Sequence, residues 1–153
     1  MTDAEFAALR ARVVHDQAVE KVAAGEWPRA DAEALANEQT DALLPDGKST
    51  DGMFIVMADA DGVGPVGYAW LELRGADVAS ARIYDLAIDE EHRGKGYGRA
   101  LLNGLEQVAR DQGLESITLN VAAGNDYARQ IYERAGYQPT AIRMSRRLHD
   151  EPN

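Results

Sequence analysis

The stretch Asp89-Glu90-Glu91-His92-Arg93-Gly94-Lys95-Gly96-Tyr97-Gly98-Arg99 decides the reading of this 153-residue chain. It follows Arg82-Ile83-Tyr84-Asp85-Leu86-Ala87-Ile88, a run of β-formers, and leads into a segment with helical periodicity. A strand is therefore predicted to pass into a helix N-terminus through a turn rich in glycine. The first N–H groups of a helix lack intrahelical partners and together carry roughly half a positive charge, which suits an anion such as phosphate. Glycine lets the backbone approach anionic oxygens closely and take positive φ. Arg93, Lys95 and Arg99 add fixed positive charge to a protein whose formal charge is −10. That local reversal of sign marks a candidate anion site, the alternative being a tight turn that is merely rich in glycine.

Two familiar phosphate patterns fail here. The P-loop needs Gly-Lys-Ser/Thr, but Lys95 is followed by Gly96. The dinucleotide pattern starting at Gly94 and Gly96 needs glycine where Arg99 stands, and it also requires a parallel βαβ opening.

Working outward, Tyr97, Leu101, Leu105, Val108 and Ala109 share one face of the predicted helix, opposite Arg99, Asn103, Glu106 and Arg110. Gly104 within it costs about 1 kcal/mol against alanine, a cost that close packing would offset. Gly113 stops the helix. Residues 116–121 read as a further strand, 125–135 as a short helix ended by Gly136, and 137–148 as a final strand or pair. Upstream, residues 53–58 and 66–73 read as a hairpin across the turn-rich 59–65, with a second turn over 75–80 before the strand at 82–88. At the start, Thr2-Asp3-Ala4-Glu5 has capping-box spacing and opens a helix to about Ala24. A second helix is expected over 30–43, closed by Leu44-Pro45-Asp46-Gly47. The length and the lack of linkers or repeats predict a single α/β domain over 1–153.

Composition narrows the chemistry. Without cysteine the chain has no disulfide, no thiolate metal site and no cysteine nucleophile. His15, His92 and His149 are far apart and lack ligand-like neighbours, so no metal is expected. There is no G-x-S-x-G elbow. Acidity argues against nucleic-acid binding, and no apolar run approaches the ~18 residues of a membrane span. With no signal-peptide pattern, a cytoplasmic location is expected. The charge is also uneven: residues 1–65 hold 13 acidic and 5 basic side chains, a net −8, against 13 and 11 in the remainder. This is either a solvated helix surface or a field that attracts a cationic ligand.

One pattern does fit the turn. Arg93-x-x-Gly96-x-Gly98 resembles the pyrophosphate-binding signature R/Q-x-x-G-x-G/A of the GNAT N-acetyltransferase superfamily. Asn125-x-x-Ala128-x-x-x-Tyr132-x-x-x-Gly136-Tyr137 resembles a second segment of that family. Together with the strand between them, these motifs cover about residues 82–137. Glu20-x-x-x-x-Gly25-x-Trp27, Leu43-Leu44-Pro45-x-Gly47 and Ile83-Tyr84-Asp85 are similar to a bacterial GNAT subgroup of poorly defined substrate.

The resemblance implies a central mixed, mostly antiparallel sheet with flanking helices and a splayed parallel strand pair. It implies an acetyl-CoA-binding core over 82–137 and a helical acceptor side over 1–50. Acetyl-CoA would lie where the strands at 82–88 and 116–121 diverge. Backbone groups of Leu86, Ala87 and Ile88 would hold the pantetheine arm. The amides from Arg93 through Gly94, Lys95, Gly96 and Gly98 to Arg99 would wrap the pyrophosphate, and Asn125 would help hold the donor. Transfer to an amine needs a neutral nucleophile and protonation of the departing thiolate. Tyr132 is the candidate acid, or else an aromatic that packs its helix. Asp85 is the candidate base, or else a buried carboxylate bonded to backbone or to a tyrosine, with Glu72 in reserve. The implied function is acetylation of a primary amine of a small molecule or peptide, with a cationic acceptor favoured by the −8 segment. Nucleic acid and membrane are not expected as partners, and a homodimer is the assembly left open. The alternative is a silent acyl-CoA-binding sensor or interaction module. Tyr68, Trp70, Tyr84 and Tyr127 could line the acceptor cleft, although strand aromatics more often build cores.

Overall fold

The computed structural model describes residues 1–73, 79–146 and 148. Helix α1 (Asp3–Ala23) begins at the predicted capping box. The Glu5 amide donates to Thr2 Oγ1 at 3.2 Å, and the Thr2 amide donates to the Glu5 carboxylate at 2.6 Å. Helix α2 (Ala32–Leu43) lies along α1 because small residues let them approach: Val14 and Ala18 meet Ala32 and Ala36. Arg10 ties the pair on its outer side, donating to Asn37 at 2.9 Å and to Asp41 at 2.5 Å.

Strands β1 (Met53–Ala60), β2 (Gly64–Glu72), β3 (Ser80–Ile88) and β4 (Ser116–Leu119) form one sheet in the order β1-β2-β3-β4. The first two pairings are antiparallel and β3/β4 is parallel, the mixed and mostly antiparallel α/β arrangement expected. Between the parallel strands runs α3 (Tyr97–Asp111), the crossover such a pair requires. Both faces of β2 are buried, and alternation assigns them. Tyr68 and Trp70 join Leu9 and Val13 of α1 and Leu44 in one core, flanked by Phe6, Ile55, Tyr84 and Ala87. Ala69 and Leu71 occupy the other face, and α3 packs on β2, β3 and β4. These elements form one compact unit, Met1–Asn120; the described residues from Val121 onward, including helix α4 (Asp126–Arg134), form a second.

Three expectations change. The row that α3 buries deepest is Leu102, Leu105 and Ala109, with Leu101 only half-buried at its flank. Gly104 is exposed, and a Cβ there would meet no atom within 4 Å, so it serves no close packing. Residues 137–146 form no strand: they pair with no other strand, and Pro139 supplies no ladder donor. The turn expected over 75–80 falls mostly on residues outside those described.

The two glycines Gly67 and Gly104 should respond oppositely to alanine. At Gly67 a Cβ would fall on the Ala87 carbonyl oxygen and 2.9 Å from Ile88 Cδ1, so the β2–β3 register would have to yield. Gly67→Ala is expected to destabilise by about 3 kcal/mol. Gly104→Ala is expected to stabilise by about 1 kcal/mol, raising the melting temperature by about 3 °C. Thermal denaturation of both variants checks this; a lowered midpoint for Gly104→Ala would contradict the exposed position of that residue.

Candidate active site

The site begins with a mismatch in strand length. Strand β4 pairs with β3 only from Ser80↔Ser116 to Ile83↔Leu119, whereas β3 runs on to Ile88. Along its other edge β3 stays paired with β2 as far as Gly67↔Ile88. Residues 84–88 therefore have a strand partner on one edge alone, and backbone groups on the open edge must find another partner.

The same strand carries a bulge. Trp70 pairs with Asp85 and Leu71 with Ile83, so Tyr84 is the extra residue. The bulge brings consecutive side chains to one face, which strict alternation forbids. Tyr84 stacks on Trp70 with centroids 4.9 Å apart, while Asp85 accepts from the Tyr68 hydroxyl at 2.6 Å.

After Ile88 the chain makes a short 3-10 turn, Glu90–His92, and then the glycine segment. Gly94 (φ +74°) and Gly96 (φ +87°) hold left-handed backbone that other residues rarely adopt. A Cβ at either would meet nothing, so conformation, not crowding, demands glycine there. Gly96 caps α3 without a side-chain hydrogen bond, and the first turn of α3 carries no acidic residue, so its leading amides remain available to an anion. Lys95 and Arg99 are exposed and carry no ion pair among the described residues. Arg93 turns back, its Nε donating to the Ile88 carbonyl at 3.0 Å. That carbonyl is thus already engaged, and the Leu86 amide donates to the Asp85 carboxylate. The Asp89 amide donates to the Val66 carbonyl, so alternation turns the backbone groups of Ala87 towards β2 and leaves the Leu86 carbonyl and the Ile88 amide to the open edge.

Asp85 sits in a structured electrostatic setting. Burial pushes its carboxyl above the usual range, while the Tyr68 hydroxyl and the Leu86 backbone pull it back. From α1, the Asp16 carboxylate adds to the rise and the Arg12 guanidinium opposes it. Burial, then the charge of Asp85, pushes the Tyr68 phenol far above its ordinary range, so Tyr68 remains a proton donor. Arg12 lies 5.1 Å over the Tyr68 ring and binds Asp89 at 3.0 Å, tying α1 to the start of the glycine segment. The alternative expected for Asp85, a buried carboxylate bonded to backbone or to a tyrosine, is what the structure shows, although sequence reasoning did not single out Tyr68 and missed the Arg12–Asp89 pair. Tyr68 and Asp85 are 17 residues apart and Arg12 and Asp89 are 77 apart, so no local signal announces either contact.

In the second unit, Asn125 caps α4: its Oδ1 accepts from the Ala128 amide at 3.1 Å. Tyr132 is half-buried in α4, about two turns on, with its ring edge-on to Tyr137 at 5.7 Å. The structure thus groups Asp85, Leu86, Ala87, Ile88 and the segment from Arg93 to Arg99 within one unit, and Asn125 with Tyr132 within the other. Glu72, the reserve base, lies opposite Arg82 in the β2–β3 register. No cluster able to hold a metal occurs among the described residues, which exclude His149. Among them too, no helix is long and apolar enough to cross a membrane.

Comparison with known proteins agrees with this geometry. The family model described as Acetyltransferase (GNAT) family matches residues 16–137. The chain is 34% identical over 149 residues to the uncharacterized N-acetyltransferase YycN of Bacillus subtilis, covering 97% of this chain and 96% of that one. The crystal structure of YycN matches with a TM-score of 0.91 over 98% of this chain and 96% of the other. A mycothiol acetyltransferase of Beutenbergia cavernae is 32% identical over 126 residues, covering 76% of this chain but 41% of that longer protein.

The raised Asp85 carboxyl makes a stability prediction. A carboxyl raised in the folded state favours folding while protonated, and that contribution is lost as pH rises from the ordinary carboxylate range through the raised value. Asp85→Asn keeps an acceptor for Tyr68 without the charge. It is expected to melt higher than the wild type at pH 7–8, with the difference shrinking towards pH 4. A gap that instead widens at acid pH would contradict the assigned environment.

Proposed function

This chain belongs to the GNAT acetyltransferase family, and on that footing we propose that it transfers an acetyl group from acetyl-CoA directly to a primary amine of a small molecule or peptide. The observation that carries the reading is the five-residue overrun of β3 beyond β4, followed at once by the positive-φ glycine segment. An extended arm containing amides fits an unpaired strand edge, and a pyrophosphate fits bare helix amides flanked by Lys95 and Arg99. The name of the Beutenbergia relative supports acetyl transfer as the reaction class.

The residues then divide the proton work. The amine reaches the donor as an ammonium, and Asp85 accepts its proton, directly or through water. The neutral amine attacks the thioester carbon, the C–N bond forms and the C–S bond breaks. Tyr132 is assigned to give its proton to the departing thiolate, a role that rests on the likeness of its segment to the family's; the nitrogen sheds its second proton as the amide forms, and the phenolate regains one from solvent. Asn125, as the cap of α4, fixes the start of the helix that carries Tyr132. With no cysteine in the chain, direct transfer is favoured over an acyl-cysteine intermediate. The net −8 of residues 1–65 favours a cationic acceptor such as a polyamine, an aminoglycoside or a lysine side chain.

Release of free thiol from acetyl-CoA, measured over a panel of such amines, tests the proposal. Amine-dependent thiol is expected; tight donor binding with no such thiol would indicate a sensor instead. Tyr132→Phe should lower kcat by about 100-fold, the scale of lost general-acid catalysis. Gly96→Ala forces a side chain into left-handed backbone at about 1–2 kcal/mol and should weaken acetyl-CoA binding by about tenfold.

A further inference from the structure

We infer that Tyr68 is a positioning residue for the acetyl transfer: its hydroxyl, donated to Asp85 Oδ2 at 2.6 Å, holds that carboxylate in the ionised form able to take the amine's proton. The inference rests on the reading of Asp85 as the base. It is needed because burial alone works against that role. A carboxyl moved out of water retains its proton, and a protonated Asp85 could accept nothing from an ammonium.

The geometry makes Tyr68 suited to correcting this. Its ring is 3% exposed, packed in the core with Leu9, Val13 and Trp70, so the hydroxyl has little water to turn towards. Tyr68 lies opposite Ala87 and two residues from Trp70, the strand partner of Asp85, so the bond runs diagonally across the β2–β3 ladder. Asp85 lies on this face because it pairs with Trp70, and the bulge brings Tyr84 to the same face. Asp85 is therefore met by Tyr68 from β2, by Arg12 and Asp16 from α1, and by the Leu86 backbone of its own strand. Arg12 favours the ionised carboxylate and Asp16 opposes it, so the two charges on α1 work against each other. The phenol is a donor of fixed sign, since its own ionisation lies far above working pH. Tyr68 keeps its proton throughout the reaction; the amine's proton goes to Asp85 and then to solvent. Being buried, Tyr68 touches no substrate and acts through Asp85.

The test compares wild type with Tyr68→Phe, and with 3-fluorotyrosine placed at position 68. Two quantities are measured: the carboxyl 13C titration of Asp85, identified by its loss in Asp85→Asn, and the acidic limb of kcat/KM. Tyr68→Phe should move both upward by about one pH unit, a tenfold activity loss below the limb, and leave the high-pH plateau within about threefold. Fluorotyrosine keeps the fold and donates more strongly, so it should move both downward. Asp85 titrating at one pH in all three proteins overturns the inference, as does a limb that ignores the substitutions. A carboxyl that responds in proteins that acetylate no amine overturns the catalytic role by way of the proposed function, with the Tyr68–Asp85 coupling itself intact.

Discussion

Everything around the site depends on one strand being longer than its neighbour. Past Ile83, β3 loses β4 but keeps β2, so a strip of extended backbone is held rigid on one side and open on the other. An isolated extended segment would not persist in water without that support. Gly67 provides part of it, since only a residue without Cβ can lie so close to the Ala87 carbonyl. At the end of the strip, Arg93 folds back on Ile88, and the chain enters α3 through backbone that only glycine adopts easily. Strand edge and helix N-terminus are thus joined by a few residues, an arrangement suited to a ligand with an amide-bearing arm and an anionic head.

The charges follow the same layout. The chain is acidic overall, yet Lys95 and Arg99 stand without an ion pair among the described residues beside the bare amides of α3, while the net negative charge lies mostly in the first 65 positions. Arg12 connects these regions, binding Asp89 just before the glycine segment while it covers the Tyr68 ring. The ion pair is partly exposed, so its part is to fix an arrangement more than to stabilise the fold. Asp85 shows the opposite balance: its burial works against charge, and the Tyr68 hydroxyl and the Leu86 backbone offset part of that cost.

What the sequence revealed and what it hid divide along the range of the interaction. The capping box at Thr2, the stop at Gly113 and the glycine segment were legible because their chemistry lies within a few residues. The deepest row of α3 was read one residue off, at Leu101 in place of Leu102, because both leucines satisfy a helical period and the sheet chooses between them. A glycine within a helix suggests close packing, but at Gly104 no neighbour supports that role. Residues 137–146 have strand-like alternation without a partner strand, and pairing is what makes a strand. The bulge at Tyr84, and the choice of Tyr68 as the tyrosine that meets Asp85, were invisible for a deeper reason. Both follow from register, and a shift of one residue would send every side chain of β3 to the other face.

Backbone amide hydrogen exchange, compared with and without saturating acetyl-CoA, tests the central claim most directly. Slowed exchange concentrated at residues 86, 88 and 94–99 is the predicted result, because those amides lie on the open strand edge and at the start of α3. Unchanged exchange there, with protection confined to other parts of the chain, would contradict the claim that the overrun of β3 and the glycine segment together hold the acetyl donor.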